Sequence, residues 1–285
     1  MTSAIDILYI LAHPDDESFG HAGTMLLAKD MGFSTGYICA TRGEAGEIRD
    51  AKLATKTTLA ARRELELRRA MALTGLTELR MFPYRDSGMD GTDANNDPRC
   101  LVQAGKDEVT AMLVATIREL KPRVVVGFGP EGVYRHPDHI RIGELTDRAV
   151  LEAAGGDDPG LGDPWQVEAF YHVASPRERM LRSRENPESP FHNAPLEFIN
   201  TLGNPAEDIT HWTDISSKSE QKLAVLMQHA TQISRDNPIL NPQHEMHRNF
   251  MTAETLIRRD LPWDESDDDP ITLIRNAHPH TPGNS

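Results

Sequence analysis

The chain has 285 residues, of which 38% are hydrophobic, and this is enough to bury a sizeable core. Its 44 acidic residues outnumber its 30 basic residues, which gives a net charge of −14. Proteins that bind nucleic-acid backbones or anionic membrane surfaces carry clusters of Lys and Arg, so this balance argues against both classes of partner. Two cysteines are too few for a disulfide framework.

The first residues contain a short apolar stretch at 7–11 that no positively charged segment precedes. No run of residues approaches the ~18 apolar positions that a membrane-spanning helix needs. We therefore expect no targeting segment and a cytoplasmic protein.

Strand-like and helix-like segments alternate along most of the chain. Residues 5–12 form a nearly continuous apolar run with β-branched members, which is typical of a strand buried on both faces. This alternation predicts a Rossmann-like α/β fold, in which a mostly parallel sheet carries helices on both faces. Further strands are predicted at 33–40, 79–84, 123–128 and 167–173, and helices at 21–31, 59–73, 107–120 and 217–232.

We expect a single domain over residues 1–263, with a core at 5–150 and a C-terminal part at 165–263 that packs on it. An acidic run at 264–269 begins a tail, residues 264–285, that is predicted to be disordered. In folds of this kind the loops that leave the carboxyl ends of the strands form the functional site. In this sequence those loops are residues 12–20, 41–49, 84–91 and 128–140.

Two clusters of His and Asp follow two of the predicted central strands. The first, at 13–17 (HPDDE), comes where the first strand ends, and the second, at 136–139 (HPDH), follows the strand at 123–128. Because the carboxyl ends of parallel strands meet at one edge, the two clusters can converge on one crevice. Two histidines, one carboxylate and one open position make a catalytic site for a divalent metal ion.

Spacing within the first cluster separates two roles. His13 and Asp16 lie three residues apart across a turn and can point at one ion, whereas Asp15 between them must face elsewhere. Asp15 is then close to the ion but free, which is where a general base for metal-bound water belongs.

The second cluster predicts the start of a helix. Pro137 fits the first helical position, with His136 near the cap, and His139 one turn on can reach the same ion. His136 remains available to donate a proton or to stabilise an oxyanion. Asp138 is placed to orient a histidine.

This ordered pair of motifs resembles the zinc-dependent de-N-acetylases of the LmbE/PIG-L type. Residues 12–17 (AHPDDE) match the first motif of that family and residues 136–139 (HPDH) match the second, within a resemblance that covers roughly residues 5–150. Shorter matches at 63–67 and 85–89 are similar to the branch of the family that acts in mycothiol chemistry.

The resemblance implies a role for each of these residues. It makes Asp15 the general base, and the zinc ligands would be His13, Asp16 and His139. His136 would stabilise the tetrahedral oxyanion or protonate the leaving amine.

Three further residues gain implied roles outside the two motifs. Tyr134 would belong to a mobile loop and meet the substrate carbonyl. Arg63 and Asp86 stand at positions that contact polar groups of the substrate in the mycothiol-related enzymes.

These observations predict a metal-dependent hydrolase that removes the N-acetyl group from a small conjugate containing N-acetylglucosamine. Zn²⁺ is the expected cofactor, and Fe²⁺ remains open because the ligands suit both ions. The expected partner is an amino-sugar conjugate and not a nucleic acid or a membrane, while a second copy of the chain stays open. An amidase of the mycothiol-conjugate type is an alternative.

Other classes of protein fit less well. The facial triad of non-haem Fe(II) oxygenases uses the same ligands, but it has one residue between the first His and the acid, where this chain has two, and its usual scaffold is a β-barrel. A binding module without catalysis would not need Asp15 and His136. No G-x-G-x-x-G loop follows the first strand, which argues against a dinucleotide-binding domain.

Overall fold

The computed structural model describes residues 4–156, 159–187, 189, 191–264 and 268–272. These residues form one seven-stranded sheet in the order β3-β2-β1-β4-β5-β7-β6. The strands are β1 (Ile7–Leu11), β2 (Thr35–Cys39), β3 (Glu78–Met81), β4 (Val124–Phe128), β5 (Ala169–Val173), β6 (His211–Asp214) and β7 (Ala253–Arg259).

Five strands, β1 to β5, run parallel, and β7 pairs antiparallel with both β5 and β6. Every residue of β1, β2, β4 and β5 is buried, as expected for strands covered on both faces. The predicted mostly parallel α/β fold is confirmed. The sequence pattern does not predict β6, because its four residues (HWTD) are polar or aromatic and alternate between half-buried and exposed.

Helices on both faces of the sheet complete the layers. The helices among the described residues are α1 (Asp16–Gly20), α2 (Ala22–Asp30), α3 (Leu59–Thr74), α4 (Lys106–Leu120), α5 (Gly132–Arg135), α6 (Pro137–Ala154), α7 (Arg177–Ser183), α8 (Leu196–Ile199), α9 (Ser219–Leu226) and α10 (Glu245–Met251). None of these is both long and apolar enough to cross a bilayer.

Helix ends follow local sequence in some places and tertiary contacts in others. α3 stops where predicted, because Gly75 adopts the left-handed conformation (φ 74°) and its N–H donates to Met71 O. α9 ends at Leu226, six residues before the predicted end. Beyond Leu226, His229 bonds to the buried carboxylate of Glu17, and Thr231 bonds to that of Glu66. These two contacts with other segments hold residues 229 and 231 outside the helix.

The C-terminal part shares both the sheet and the core of the N-terminal part. β5 pairs directly with β4, and the main apolar cluster includes Val225 and Leu256 together with the residues of β1.

The tail prediction needs a correction at its start. Asp264 accepts hydrogen bonds from Leu261 N at 2.7 Å and from Arg258 at 3.0 Å, and Ile271 is buried in the main core. The described residues 264 and 268–272 therefore pack against the domain, because Asp264 bonds to Arg258 and Ile271 packs in the apolar core. The rest of the predicted tail, 265–267 and 273–285, lies outside the described residues.

Candidate active site

The two His/Asp clusters converge at the carboxyl ends of the neighbouring strands β1 and β4. His13 lies two residues beyond β1, and His139 lies in the first turn of α6, which follows β4. Their ring centroids are 5.1 Å apart, and His13 Nδ1 lies 3.1 Å from His139 Nε2. The predicted convergence is confirmed.

A tight turn brings Asp16 to the same point. Asp16 Oδ2 accepts hydrogen bonds from the backbone N–H of His13 at 2.7 Å and of Ala12 at 3.2 Å. Its two carboxylate oxygens lie 3.3 Å from His139 Nε2 and 3.6 Å from His13 Nδ1. The three predicted metal ligands therefore surround one small volume.

The tautomers of the two histidines follow from their outer neighbours. His139 Nδ1 lies 3.2 Å from the carbonyl of Gly132, which can only accept, so Nδ1 carries the hydrogen and Nε2 keeps a lone pair. His13 Nε2 lies 3.2 Å from Asp138 Oδ2, which by the same reasoning leaves the lone pair on Nδ1. Both lone pairs then face the Asp16 carboxylate, an arrangement typical of ligands oriented by outer hydrogen bonds.

The donor set suits a divalent cation. Among the described residues, ligand atoms of His13, His136 and His139 lie within 4.8 Å of one another, and so do those of His13, Asp86, His136 and Asp138. Two nitrogen lone pairs and several buried carboxylates repel one another unless a positive charge lies between them. Zn²⁺ and Fe²⁺ both accept imidazole and carboxylate ligands. The site is therefore a buried His/Asp group able to bind a metal ion.

The pKa shifts of His13 and Asp16 also indicate that the site favours a positive charge. Burial alone lowers the pKa of His13, but Asp86, Asp138 and Asp16 raise this pKa well above its usual range. Burial raises the pKa of Asp16, but His139 and His13 hold it well below its usual range. A metal ion would replace the proton that these carboxylates hold on His13.

Asp15 stands beside this group under different constraints. Its backbone has φ 129° and ψ −22°, a conformation that L-residues rarely adopt, and it directly precedes α1. Asp15 Oδ2 accepts a hydrogen bond from Arg63 Nη2 at 3.0 Å. Burial raises the pKa of Asp15 to about 6, against the opposing effect of Arg63. A carboxylate with such a pKa is suited to general-base catalysis near neutral pH.

Arg63 is buried and bonds to the protein through both terminal nitrogens of its guanidinium, while its Nε has no hydrogen-bond partner among the described residues. It is 3% exposed, and its guanidinium donates to Gly43 O at 2.9 Å and Pro14 O at 2.7 Å as well as to Asp15. These bonds join the loops after β1 and β2 and fix the Asp15 carboxylate. The observed contacts are those of a positioning residue, and the predicted contact of Arg63 with substrate stays a prediction.

His136 caps α6. Its Nδ1 accepts a hydrogen bond from Asp138 N at 3.2 Å, so the hydrogen of the neutral ring is on Nε2. Burial, with the neighbouring His13 and His139, lowers the pKa of His136 to about 2. His136 Nε2 lies 3.9 Å from Asp86 Oδ1, so this nitrogen points into the same site as a neutral hydrogen-bond donor.

Asp86 and Tyr134 also lie at the site. Asp86 Oδ1 is 3.5 Å from His13 Nε2 and accepts from Gly88 N at 2.7 Å, and His13 holds its pKa below the usual range although burial raises it. The ring of Tyr134 lies 4.8 Å from that of His139, on α5, where Val133 has φ 62° and Arg135 has φ 64°. The structure places all nine predicted site residues together, while their individual roles stay predictions.

Sequence reasoning does not identify three supporting residues. Glu17 is fully buried and accepts hydrogen bonds from Asp15 N at 3.0 Å and from His229 Nε2, 2.8 Å away. Ser87 donates to the Asp138 carboxylate through both its N–H and its hydroxyl. Glu17 and Ser87 stand inside the matched motifs, which is a usable signal, but the partner of His229 lies 212 residues away.

A cavity of about 290 Å³ opens onto the site. Asp15, Asp16, His139 and Tyr134 form part of its wall, and most of the remaining wall is apolar. An apolar cavity with a few convergent polar groups is the usual form of a small-molecule site.

The sheet, the buried His/Asp group and the adjoining cavity define an α/β protein with a metal-binding site at the carboxyl edge of its sheet. The family PIG-L, GlcNAc-PI de-N-acetylase, matches residues 8–150, and the chain belongs to this family. One relative is a 1D-myo-inositol 2-acetamido-2-deoxy-alpha-D-glucopyranoside deacetylase of Kineococcus radiotolerans. It is 36% identical, and the match covers 81% of this chain and 69% of the relative.

Solved structures share the fold at lower identity. The N,N'-diacetylchitobiose deacetylase of Pyrococcus horikoshii matches with a TM-score of 0.62 and 22% identity over 90% of this chain and 84% of its own. The 4-carboxy-2-hydroxymuconate hydratase of Pseudomonas putida matches with a TM-score of 0.60 and 20% identity over 93% of this chain and 99% of its own. Because a deacetylase and a hydratase share it, the fold alone does not decide the reaction.

Proposed function

We propose that this protein hydrolyses the acetamide group of a small conjugate of N-acetylglucosamine and releases acetate and a free amine. The relative from Kineococcus radiotolerans is named for a substrate of this chemical class. The observation that carries the proposal is the placement of Asp15. Its carboxylate adjoins the group of His13, Asp16 and His139 and opens onto the same cavity.

We propose that His13, Asp16 and His139 hold Zn²⁺, with Fe²⁺ as the second ion that the ligands suit. When bound, such an ion polarises a carbonyl oxygen and makes water more acidic. The remaining chemistry belongs to side chains of this chain. We also propose that the protein acts in the cytoplasm. Its proposed substrate is a small molecule, because the named substrate of the relative is a small molecule.

Asp15 accepts the proton of the attacking water and passes it to the nitrogen of the leaving amine. Arg63 holds the Asp15 carboxylate in place for both transfers. His136 donates its Nε2 hydrogen to the oxyanion that develops on the acetamide, because the backbone N–H of Asp138 occupies Nδ1. Tyr134 stands beside His139 as a second group for the substrate carbonyl. Amidases of the mycothiol-conjugate type would use the same arrangement on a larger conjugate.

The test separates metal binding from proton transfer. Asp15→Asn is expected to keep the metal content of the wild type and to lose about 10²- to 10⁴-fold in kcat/KM, the usual contribution of a general base. His13→Ala and His139→Ala are expected to lose the metal. Metal content is measured by atomic emission and turnover by amine release from N-acetylglucosaminyl-inositol.

Asp107→Asn is the matched control, because it removes the charge of a carboxylate that is 90% exposed. Normal turnover by metal-loaded Asp15→Asn would remove Asp15 from the mechanism. Absence of amine release from every acylated glucosaminide by metal-loaded wild type would overturn the proposed function itself.

A further inference from the structure

The cavity beside the site has a largely apolar wall, which is poorly suited to the hydroxyl groups of a sugar. We call it the apolar cavity, and its side chains include Phe19, Phe128, Val173, Met180, Phe191 and Phe250. Its volume, about 290 Å³, is close to the lower end of the roughly 300–1,000 Å³ of ligand pockets. An acetyl group would leave most of this volume without a ligand.

The polar groups in the wall are largely engaged already. The hydroxyl of Ser183 donates to Met180 O at 2.6 Å, and the hydroxyl of Thr255 donates to Ala174 O at 2.8 Å. Asn237 Oδ1 accepts from Ile239 N at 3.0 Å. Sugar hydroxyls buried here would lose water and find few free partners, which is unfavourable.

Arg179 is a basic side chain in the wall away from Asp15 and Asp16, and its guanidinium has protein contacts although its buried Nε has no hydrogen-bond partner among the described residues. Its Nη2 donates to Asn249 O at 2.7 Å, and its guanidinium carbon lies 4.6 Å from the centre of the Phe250 ring. Such stacking presents the flat, weakly hydrated face of a guanidinium alongside apolar surface.

Tyr134 also borders a second, more open space that carries more charged side chains. This open groove has a volume of about 600 Å³, and its wall combines apolar residues such as Ile140 and Phe198 with the charged residues Lys106, Arg135, Arg141 and Glu144. Charged side chains and access to water suit a sugar with its several hydroxyl groups. An amide that lies beside Tyr134 therefore adjoins both spaces, and the open groove is the one with the charged side chains and the freer access to water.

From this arrangement we propose that the apolar cavity binds the acyl group of the substrate, and that the protein prefers amino sugars with an acyl chain of medium length, such as hexanoyl, over acetyl. The inference rests on the proposed function. The reaction is the same hydrolysis: the C–N bond breaks, the oxygen of water bonds to the acyl carbon, and the nitrogen of the leaving amine takes up the two protons that the water gives up. The products are a medium-chain carboxylate and the free amino sugar.

The test compares acetyl, butyryl, hexanoyl and octanoyl derivatives of one glucosaminide with metal-loaded enzyme, with amine release as the measurement. Each methylene that leaves water for the apolar cavity is expected to raise kcat/KM up to about fourfold. The hexanoyl substrate should therefore exceed the acetyl substrate by at least about tenfold. Equal or lower turnover of the hexanoyl substrate, with the acetyl substrate still cleaved, would overturn this inference and leave the proposed function intact.

Two further substrates separate the other occupants of the apolar cavity. An adipoyl derivative carries a terminal carboxylate at the same chain length, and its preference over hexanoyl would assign the cavity to an anionic group at Arg179. An acetylated octyl glucosaminide carries the apolar chain on the sugar side. Its preference over the hexanoyl substrate would assign the cavity to the aglycone. Either result contradicts an apolar acyl occupant.

A variant tests the location. Gly20 lines the apolar cavity, a Cβ atom there would meet nothing within 4 Å, and its backbone is outside the left-handed region. Gly20→Leu is expected to lower the ratio of hexanoyl to acetyl turnover at least about fivefold, because the new side chain takes up the space of several methylenes. Gly155→Leu is the matched control at a remote glycine that also has open space, and an equal fall of the ratio in both variants would contradict the assignment.

Discussion

Asp138 lies outside the predicted ligand set but contacts one of the predicted ligands, His13. Its carboxylate is fully buried, accepts a hydrogen bond from Ser87 N at 2.9 Å and lies 3.2 Å from His13 Nε2. The bond to Nε2 leaves the Nδ1 lone pair of His13 pointed at Asp16. We therefore expect Asp138 to act through His13, as carboxylates behind metal-binding histidines generally do.

Asp138→Asn is expected to weaken metal binding about 10- to 100-fold, the usual effect of losing such an outer partner. The amide presents a donor as readily as an acceptor to His13 Nε2, so the ring no longer has one preferred tautomer. Competition with a chelator of known affinity measures the change, and Asp107→Asn again controls for the loss of a surface carboxylate. Unchanged affinity in a folded Asp138→Asn protein would show that His13 is oriented without Asp138.

Some features of the site can be predicted from the sequence, and others cannot because the contacting residues lie far apart in the chain. The two motifs predict the positions of His13, Asp16 and His139, because each motif is local and the ends of parallel strands meet at one edge. The actual contacts of Arg63 could not be predicted, since its acceptors, Gly43 and Pro14, lie 20 and 49 residues away.

At the scale of elements, one buried ion pair joins α9, α2 and β7. Lys222 Nζ donates to Glu254 Oε1 at 2.7 Å, and both side chains are no more than 2% exposed. Glu254 also accepts from the N–H groups of Gly23 and Thr24, each at 2.8 Å, which is where the start of a helix favours negative charge. Burial lowers the pKa of Lys222, although Glu254 opposes this.

Lys222→Met is expected to lower the free energy of unfolding by about 3–5 kcal/mol, because it leaves the Glu254 charge buried without its cation. The double variant Lys222→Met/Glu254→Gln should be more stable than Lys222→Met alone, since the amide carries no charge. Urea unfolding gives both values. Arg80→Met is the control at a surface pair with Glu119, where the loss should stay within about 1 kcal/mol.

Equal losses for Lys222→Met and Arg80→Met would mean that the buried pair contributes no more than an exposed one. A double variant less stable than Lys222→Met would mean that Glu254 acts through its backbone acceptors rather than through its charge.

Elements with strong apolar patterns are predictable, and those held by tertiary contacts are not. β1, α3 and β4 are found close to their predicted bounds, because apolar runs and a glycine stop are local signals. β7 contains buried Glu254 and Arg258, and their partners Lys222 and Asp264 lie in other segments. No local pattern marks charged residues as strand interior, so the sequence alone leaves β7 out.

At the scale of the whole molecule, the C-terminal part completes the sheet that the N-terminal part begins. We propose that residues up to 263 form one cooperative domain, since β5 pairs along its full length with β4 and Leu256 packs in the main core. Separating the two parts would expose the edge of a buried parallel strand.

Unfolding in urea is expected to occur in one transition with the same midpoint for two probes. The three tryptophans, Trp165, Trp212 and Trp263, all lie in the C-terminal part. Their fluorescence reports on that part and on its contact with the N-terminal part, because Trp165 Nε1 donates to Pro122 O at 2.7 Å. Far-UV circular dichroism reports on the helices and strands of both parts. Coincident curves support a single domain, whereas a fluorescence transition at lower urea would show that the C-terminal part unfolds separately.

The backbone at the site has a consequence for how this protein can change. Asp15, Val133 and Arg135 all have positive φ, and such conformations cost about 1–3 kcal/mol each in residues other than glycine. A fold with a net stability of about 5–15 kcal/mol bears that cost only where the rest of the core is strong. Asp15 and Val133 border the apolar cavity and Arg135 borders the open groove. We therefore expect substitutions that relax these torsions to raise thermal stability and to lower turnover, so that the two properties oppose each other at these positions.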